Sequence, residues 1–175
     1  MNRRKEIVLK IVNLIFWILF IGLCIKTGSL IISAWVSLAV NPIAAKNLYQ
    51  GLNLLNLYEY NKTQYGFLLI AIILQTGLKA YIAYLMVKVF MDFKFTSPFQ
   101  PKVFSLLFRV SYLSLLIGAL AYMSYRYSKN LQEKGIAIVY EWGAAETLFF
   151  AGIIFIIAET FKKGSEIQSE NDLTV

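Results

Sequence analysis

The sequence predicts an all-α integral membrane fold: a four-helix bundle, N-in/C-in, with short interfacial helices in the first extracytoplasmic loop. Three observations lead there. Of 175 residues, 58% are hydrophobic and only 15% charged, which is too apolar for an ordinary soluble domain. Four apolar segments approach or exceed the about 20 residues that a helix needs to cross hydrocarbon. The basic residues are scattered between these segments and form no continuous patch, so the net charge of +7 and the pI near 9.4 reflect membrane topology and not direct nucleic-acid binding. The chain, 1–175, reads as one membrane domain with spans over 7–27, 65–90, 103–125 and 136–161, an extracytoplasmic loop 28–64 and a cytoplasmic tail 162–175.

The first span follows Arg3, Arg4 and Lys5, and its uncharged stretch from Ile11 to Ile25 is short enough that Lys10 and Lys26 would snorkel to opposite interfaces. Small residues in an A-x-A pattern are lacking after it, so it reads as a retained helix and not a signal peptide. In the loop, Ser29, Ser33 and Ser37 recur every four residues opposite Leu30, Ala34 and Leu38, which predicts a helix that Asn41-Pro42 ends. Leu48, Leu52 and Leu55 then repeat at helical spacing, and Tyr49, Tyr58, Tyr60 and Tyr65 suit the headgroup layer. Such a segment either caps the bundle as a binding lid or simply packs at the interface. Asn61-Lys62-Thr63 matches a glycosylation sequon, a short pattern that often matches by chance.

The second span carries Gln75, Lys79 and Lys88. A compact polar break follows, in which Ser97 is an N-cap candidate with Pro98 at the first helical position. The third span holds Arg109 near its cytoplasmic end, with Ser111, Ser114, Gly118 and Ala119 as small residues for close packing. The fourth carries Glu141, Glu146 and Glu159 and the small-residue row Gly143, Thr147 and Ala151. On this topology Arg3, Arg4, Lys5, Lys10, Lys88, Lys94, Lys102, Lys162 and Lys163 face the cytoplasm, against Lys26, Lys46, Lys62, Arg126, Lys129 and Lys134 outside. That bias sets the orientation.

Charges inside a membrane are expensive and should be answered by partners. The expected charge network is Lys79, Arg109, Glu141, Glu146 and Glu159. Lys79 lies 14 positions from Tyr65 and Glu146 lies 10 from Ile136, a difference in depth of about 6 Å at 1.5 Å per residue. Arg109 and Glu159 both fall in the inner leaflet, and Glu141 falls near the outer surface, so pairs are expected at three heights. On one helix Glu141 and Glu159 would share a face, with Glu146 pointing about 140° away. These charges either fix the registry of the helices or line a path for a proton, ion or solute.

Histidine is absent and cysteine occurs once, as Cys24. An internal disulfide is therefore impossible, no metal or other cofactor is expected, and the commonest general base is missing, which argues against an enzyme.

Thr96-Ser97-Pro98-Phe99, Glu146-Thr147, and Phe161-Lys162-Lys163-Gly164 leading to Glu170-Asn171-Asp172-Leu173-Thr174-Val175 resemble a bacterial membrane family known as domain of unknown function 2975. The resemblance spans most of the chain as a four-helix pattern, and its specificity rests on that ending. It implies a multi-pass protein of the bacterial cytoplasmic (inner) membrane, often encoded beside a small helix-turn-helix regulator, with no established activity. A docking site for that regulator, or for another membrane protein, would comprise Pro98, Phe99, Glu170, Asn171, Asp172, Leu173, Thr174 and Val175; alternatively the tail caps the inner end of the bundle. The leading expectation is a non-enzymatic regulatory or sensory partner in the lipid bilayer. The alternative is a small transporter or channel component using the Lys79 and Glu146 region, which would assemble as a homo-oligomer.

Overall fold

The computed structural model describes the backbone of residues 3–95 and 98–173 and the side chains of those up to Glu170. These residues form five α-helices and no strand: α1 (Arg3–Ala39), α2 (Leu55–Tyr60), α3 (Lys62–Asp92), α4 (Pro101–Glu133) and α5 (Ala144–Leu173), with a 3-10 helix, Pro42–Lys46, between α1 and α2. Four of them, α1, α3, α4 and α5, are long and apolar enough to cross a membrane. They lie in chain order, α1 against α3, α3 against α4 and α4 against α5. The 3-10 helix rests on α1 and α2, and α2 rests on α3.

The helix expected over 28–40 exists, but as the continuation of α1 and not as a separate element. No proline interrupts the chain there, and Thr27, next to Gly28, is close enough to α3 that a Cβ on Gly77 would lie 3.6 Å from its methyl. The helix stops at Asn41-Pro42 as expected, and Asn41 Oδ1 accepts the Ile43 amide as the cap of the 3-10 helix. Asn61, the sequon asparagine, is the N-cap of α3, accepting the amides of Thr63 and Gln64. Two of the tyrosines expected at the headgroup layer are instead interior: Tyr65 is fully buried, 2.6 Å from the Ser37 hydroxyl, and Tyr58 packs edge-on against it.

The expected start of the third span needs correcting. Pro101, not Pro98, occupies the first turn of α4, because Gln100 is held extended ahead of a second proline. Ser97 lies outside the described residues. The helix also runs two turns beyond Tyr125, into the stretch read as an outer loop, and ends at Glu133, closed by Gly135 (φ +86). There the amides of Gly135 and Ile136 bond back to Gln132 and Leu131, a Schellman closure in which Ile136 and Leu131 are both buried.

The largest correction concerns the fourth span. Residues 136–143 are not helical, and α5 begins only at Ala144. Burial alternates along this strap: Ile136 and Trp142 are buried, Ile138 and Tyr140 are half-buried, and Ala137, Val139 and Glu141 are exposed. That is the period of extended backbone, favoured here by β-branched and aromatic residues between Gly135 and Gly143, whose φ of +60 closes the strap. At its far end α5 does not stop at Phe161 but continues as helix to Leu173, so the expected tail is a projection of the same element.

The core divides between the two ends of the molecule. At one end Leu30, Leu48, Leu54, Leu57, Tyr65 and Trp142 gather beneath the connections 40–61 and 136–143; at the other Leu85, Val103, Val110, Ile154 and Ala158 pack together. Outward-facing apolar side chains cover the rest, most completely on α1, whose most apolar stretch is unburied throughout. That is the surface a bilayer requires.

Candidate functional site: a charged aromatic cluster under the cap

The chemistry-bearing residues gather where the connection 40–61, the strap and the first turn of α5 meet. Lys26, from α1, sits with its ammonium 6.0 Å from the ring centres of both Tyr49 and Tyr140, so one cation is held between two rings. Tyr140 and Trp142 stack edge-to-face at 4.6 Å. Burial pushes the Tyr140 phenol above its usual range, keeping it a neutral hydrogen-bonding group. Gln75 of α3 is fully buried and donates from Nε2 to the Trp142 carbonyl at 2.7 Å, tying the strap to the middle of a long apolar helix, while its Oε1 has no partner among the described residues. The turn that carries Tyr49 has positive φ at Gln50 (+46) and Gly51 (+84), and the strain of a non-glycine in that region is held by the Gly51 amide on Asn47 Oδ1.

Two cavities flank this cluster and share Tyr140 and Glu141 in their walls. One of about 380 Å³ is lined by Lys26, Tyr49, Gln50 and Glu141. The other, about 600 Å³, lies between the C-terminal end of α4 and the start of α5, lined by Tyr122, Tyr125, Tyr140, Glu141, Trp142 and Glu146.

The structure brings together part of the expected charge network and leaves the rest apart. Lys79 is half-buried, within electrostatic reach of Lys26, Glu141 and Glu146. None of Lys79, Arg109, Glu141, Glu146 and Glu159 forms an ion pair with another described residue, so the three stacked pairs are not made. Arg109 is exposed on the α4 face opposite Val110 and Ser111, and Glu159 is half-buried beside Ala158. Glu141 belongs to the strap, which removes the shared helical face with Glu159. Glu146 lies in the first turn of α5, where a carboxylate suits the helix dipole, and not at mid-span.

At the opposite end, Phe99 is not a free anchor. Its ring packs against Phe161 at 5.6 Å and lies over Gly164, where a Cβ would come within 2.6 Å of it. Pro98 is half-buried, and Glu170 and the backbone of Asn171, Asp172 and Leu173 lie on the last turns of α5. The calls on Thr174 and Val175 fall outside the described residues. Lys102 and Asp92 form an ion pair at 2.9 Å across the α3–α4 connection.

Sequence reasoning did not single out Lys26, Tyr140 or Trp142 as site residues. The alternation Ile-Ala-Ile-Val-Tyr-Glu-Trp was the available signal, since its period of two places Tyr140 and Trp142 together on the inner side. No protein-family model, curated protein or solved structure matches the chain.

Proposed function

We propose that this chain is a non-enzymatic, four-span protein of the bacterial cytoplasmic membrane, N-in/C-in, acting as a regulatory or sensory partner. The observation that carries the reading is the course of α5. Its first turn belongs to the charged aromatic cluster, and the same uninterrupted helix of 30 residues ends in the acidic turns beyond the membrane-length segment. At 1.5 Å per residue it is about 45 Å long, against about 30 Å of hydrocarbon. An event at the cluster can thus be passed to the other side as a movement of one rod, levered where Gly164 rests on Phe99. The resemblance to domain of unknown function 2975 suggests the receiver, a small helix-turn-helix regulator whose basic surface would meet Glu170 and Asp172. Deleting residues 170–175 tests this: the truncated protein should remain in the membrane and lose co-purification with the neighbouring regulator. Retained co-purification would refute docking at the tail.

A second reading, a small transporter or channel component, is favoured by Lys79 standing within electrostatic reach of Glu141 and Glu146 beside two cavities. Solute or ion flux in proteoliposomes that K79M abolishes would select it over the first.

A further inference from the structure

We infer that the cavity between the C-terminal end of α4 and the start of α5 is a recognition site for an ammonium group carried on an apolar body. The inference rests on the sensory reading only for what binding would report. Four aromatic side chains, Tyr122, Tyr125, Tyr140 and Trp142, line the cavity with two carboxylates, Glu141 and Glu146, and no cation among the described residues lines it. Both carboxylates are exposed and without an ion-pair partner among the described residues. Aromatic faces and carboxylates attract the same ligand, a positive charge too weakly hydrated to resist leaving water. At about 600 Å³ the cavity admits more than the charged head, and Gly143, Ala144, Ala145 and Leu148 offer its body an apolar wall.

The opposing charges are Lys79, Lys26 and the positive end of α5. The two lysines do not line this cavity, and Lys26 is held on the other side of the strap between Tyr49 and Tyr140. Coulomb energy falls with distance, so carboxylates in contact outweigh lysines behind the wall. The end of α5 supplies about half a unit of positive charge, and Glu146 in its first turn already meets it.

A phospholipid headgroup and a soluble amine both offer this chemistry, and the test separates them. The full chain with W17F and W35F, which leaves Trp142 as its one tryptophan, is placed in phosphatidylglycerol nanodiscs and titrated with choline and with its neutral isostere 3,3-dimethylbutan-1-ol. Choline should change the Trp142 emission saturably and the isostere should not. E141Q/E146Q should weaken choline on the order of tenfold or more while keeping the helical circular dichroism, and K79M should tighten it. Repeating the titration with phosphatidylethanolamine in the disc identifies the source: a raised apparent Kd assigns the site to the lipid headgroup, and an unchanged one to a soluble cation. Equal response to the isostere, or choline binding that survives E141Q/E146Q, would overturn the inference. So would the absence of any saturable response in phosphatidylglycerol. Because binding is read directly, these failures are independent of whether the tail docks a regulator.

Discussion

Gly118 and Gly164 are two positions where the absence of a side chain admits a close neighbour, Leu148 of α5 at the first and Phe99 of the α3–α4 connection at the second. A Cβ on Gly118 would lie 2.5 Å from Leu148 Cδ2, at the same α4–α5 seam where the Ser111 hydroxyl donates to the Ala151 carbonyl at 3.0 Å. Gly118→Val should therefore cost about 1–3 kcal/mol, the usual range for forcing methyl groups into a packed interior. Gly152→Val, where a Cβ meets nothing within 4 Å, is the matched control and should be close to neutral. Equal losses in detergent unfolding would mean that helix propensity and not close packing is being measured. The buried hydroxyl pair Ser37–Tyr65 makes a second test. Ser37→Ala strands the Tyr65 hydroxyl and should cost about 1–2 kcal/mol, whereas Tyr65→Phe leaves Ser37 donating to the Ala34 carbonyl and should cost less, with the double variant costing less than the sum. Small residues were legible as packing residues because helices in lipid associate through them; that Tyr65 would face inward was not, since tyrosine is equally at home at an interface.

Among the elements, the strap 136–143 departs most from what hydropathy alone predicts. A run of 26 apolar-rich residues from Ile136 was long enough to be a span, and length outvoted the period-two pattern at its start. The penalty for that misreading fell on the charges: once Glu141 leaves the helix, the angular argument about three carboxylates on one rod fails. The boundaries set by specific chemistry were readable by contrast, Asn41-Pro42 after α1 above all. The extended strap predicts an alternation that a helix cannot produce. In a Cys24→Ala background, cysteines at 137, 139 and 141 should react rapidly with a water-soluble maleimide and those at 136 and 142 slowly, with Val139, 88% exposed, the fastest. A labelling period of three to four residues would refute the extended form.

For the whole molecule, the four long helices follow one another as neighbours, and among the described helices the α1 backbone comes close to α3 and the 3-10 helix and not to α4 or α5. The number of helices and their apolar outer surface were legible because lipid imposes both. The mutual placement of the charges was not, because a depth count fixes height along a helix and says nothing of which neighbour stands beside it. Orientation then follows from α5. Its length exceeds the hydrocarbon thickness by about 15 Å, so if it spans, the strap before it and the acidic turns after it lie on opposite sides. On the proposed N-in/C-in topology, the bias of basic residues toward the ends near Lys10, Lys94 and Lys162 would put those turns in the cytoplasm. In intact spheroplasts an impermeant maleimide should label Val139→Cys directly and Ser169→Cys only after lysis, both in the Cys24→Ala background. Labelling of Ser169→Cys alone before lysis would mean that the orientation is reversed, and labelling of both would mean that α5 does not cross. In either case the rod that is meant to join the aromatic cluster to a cytoplasmic partner would have no partner within its reach.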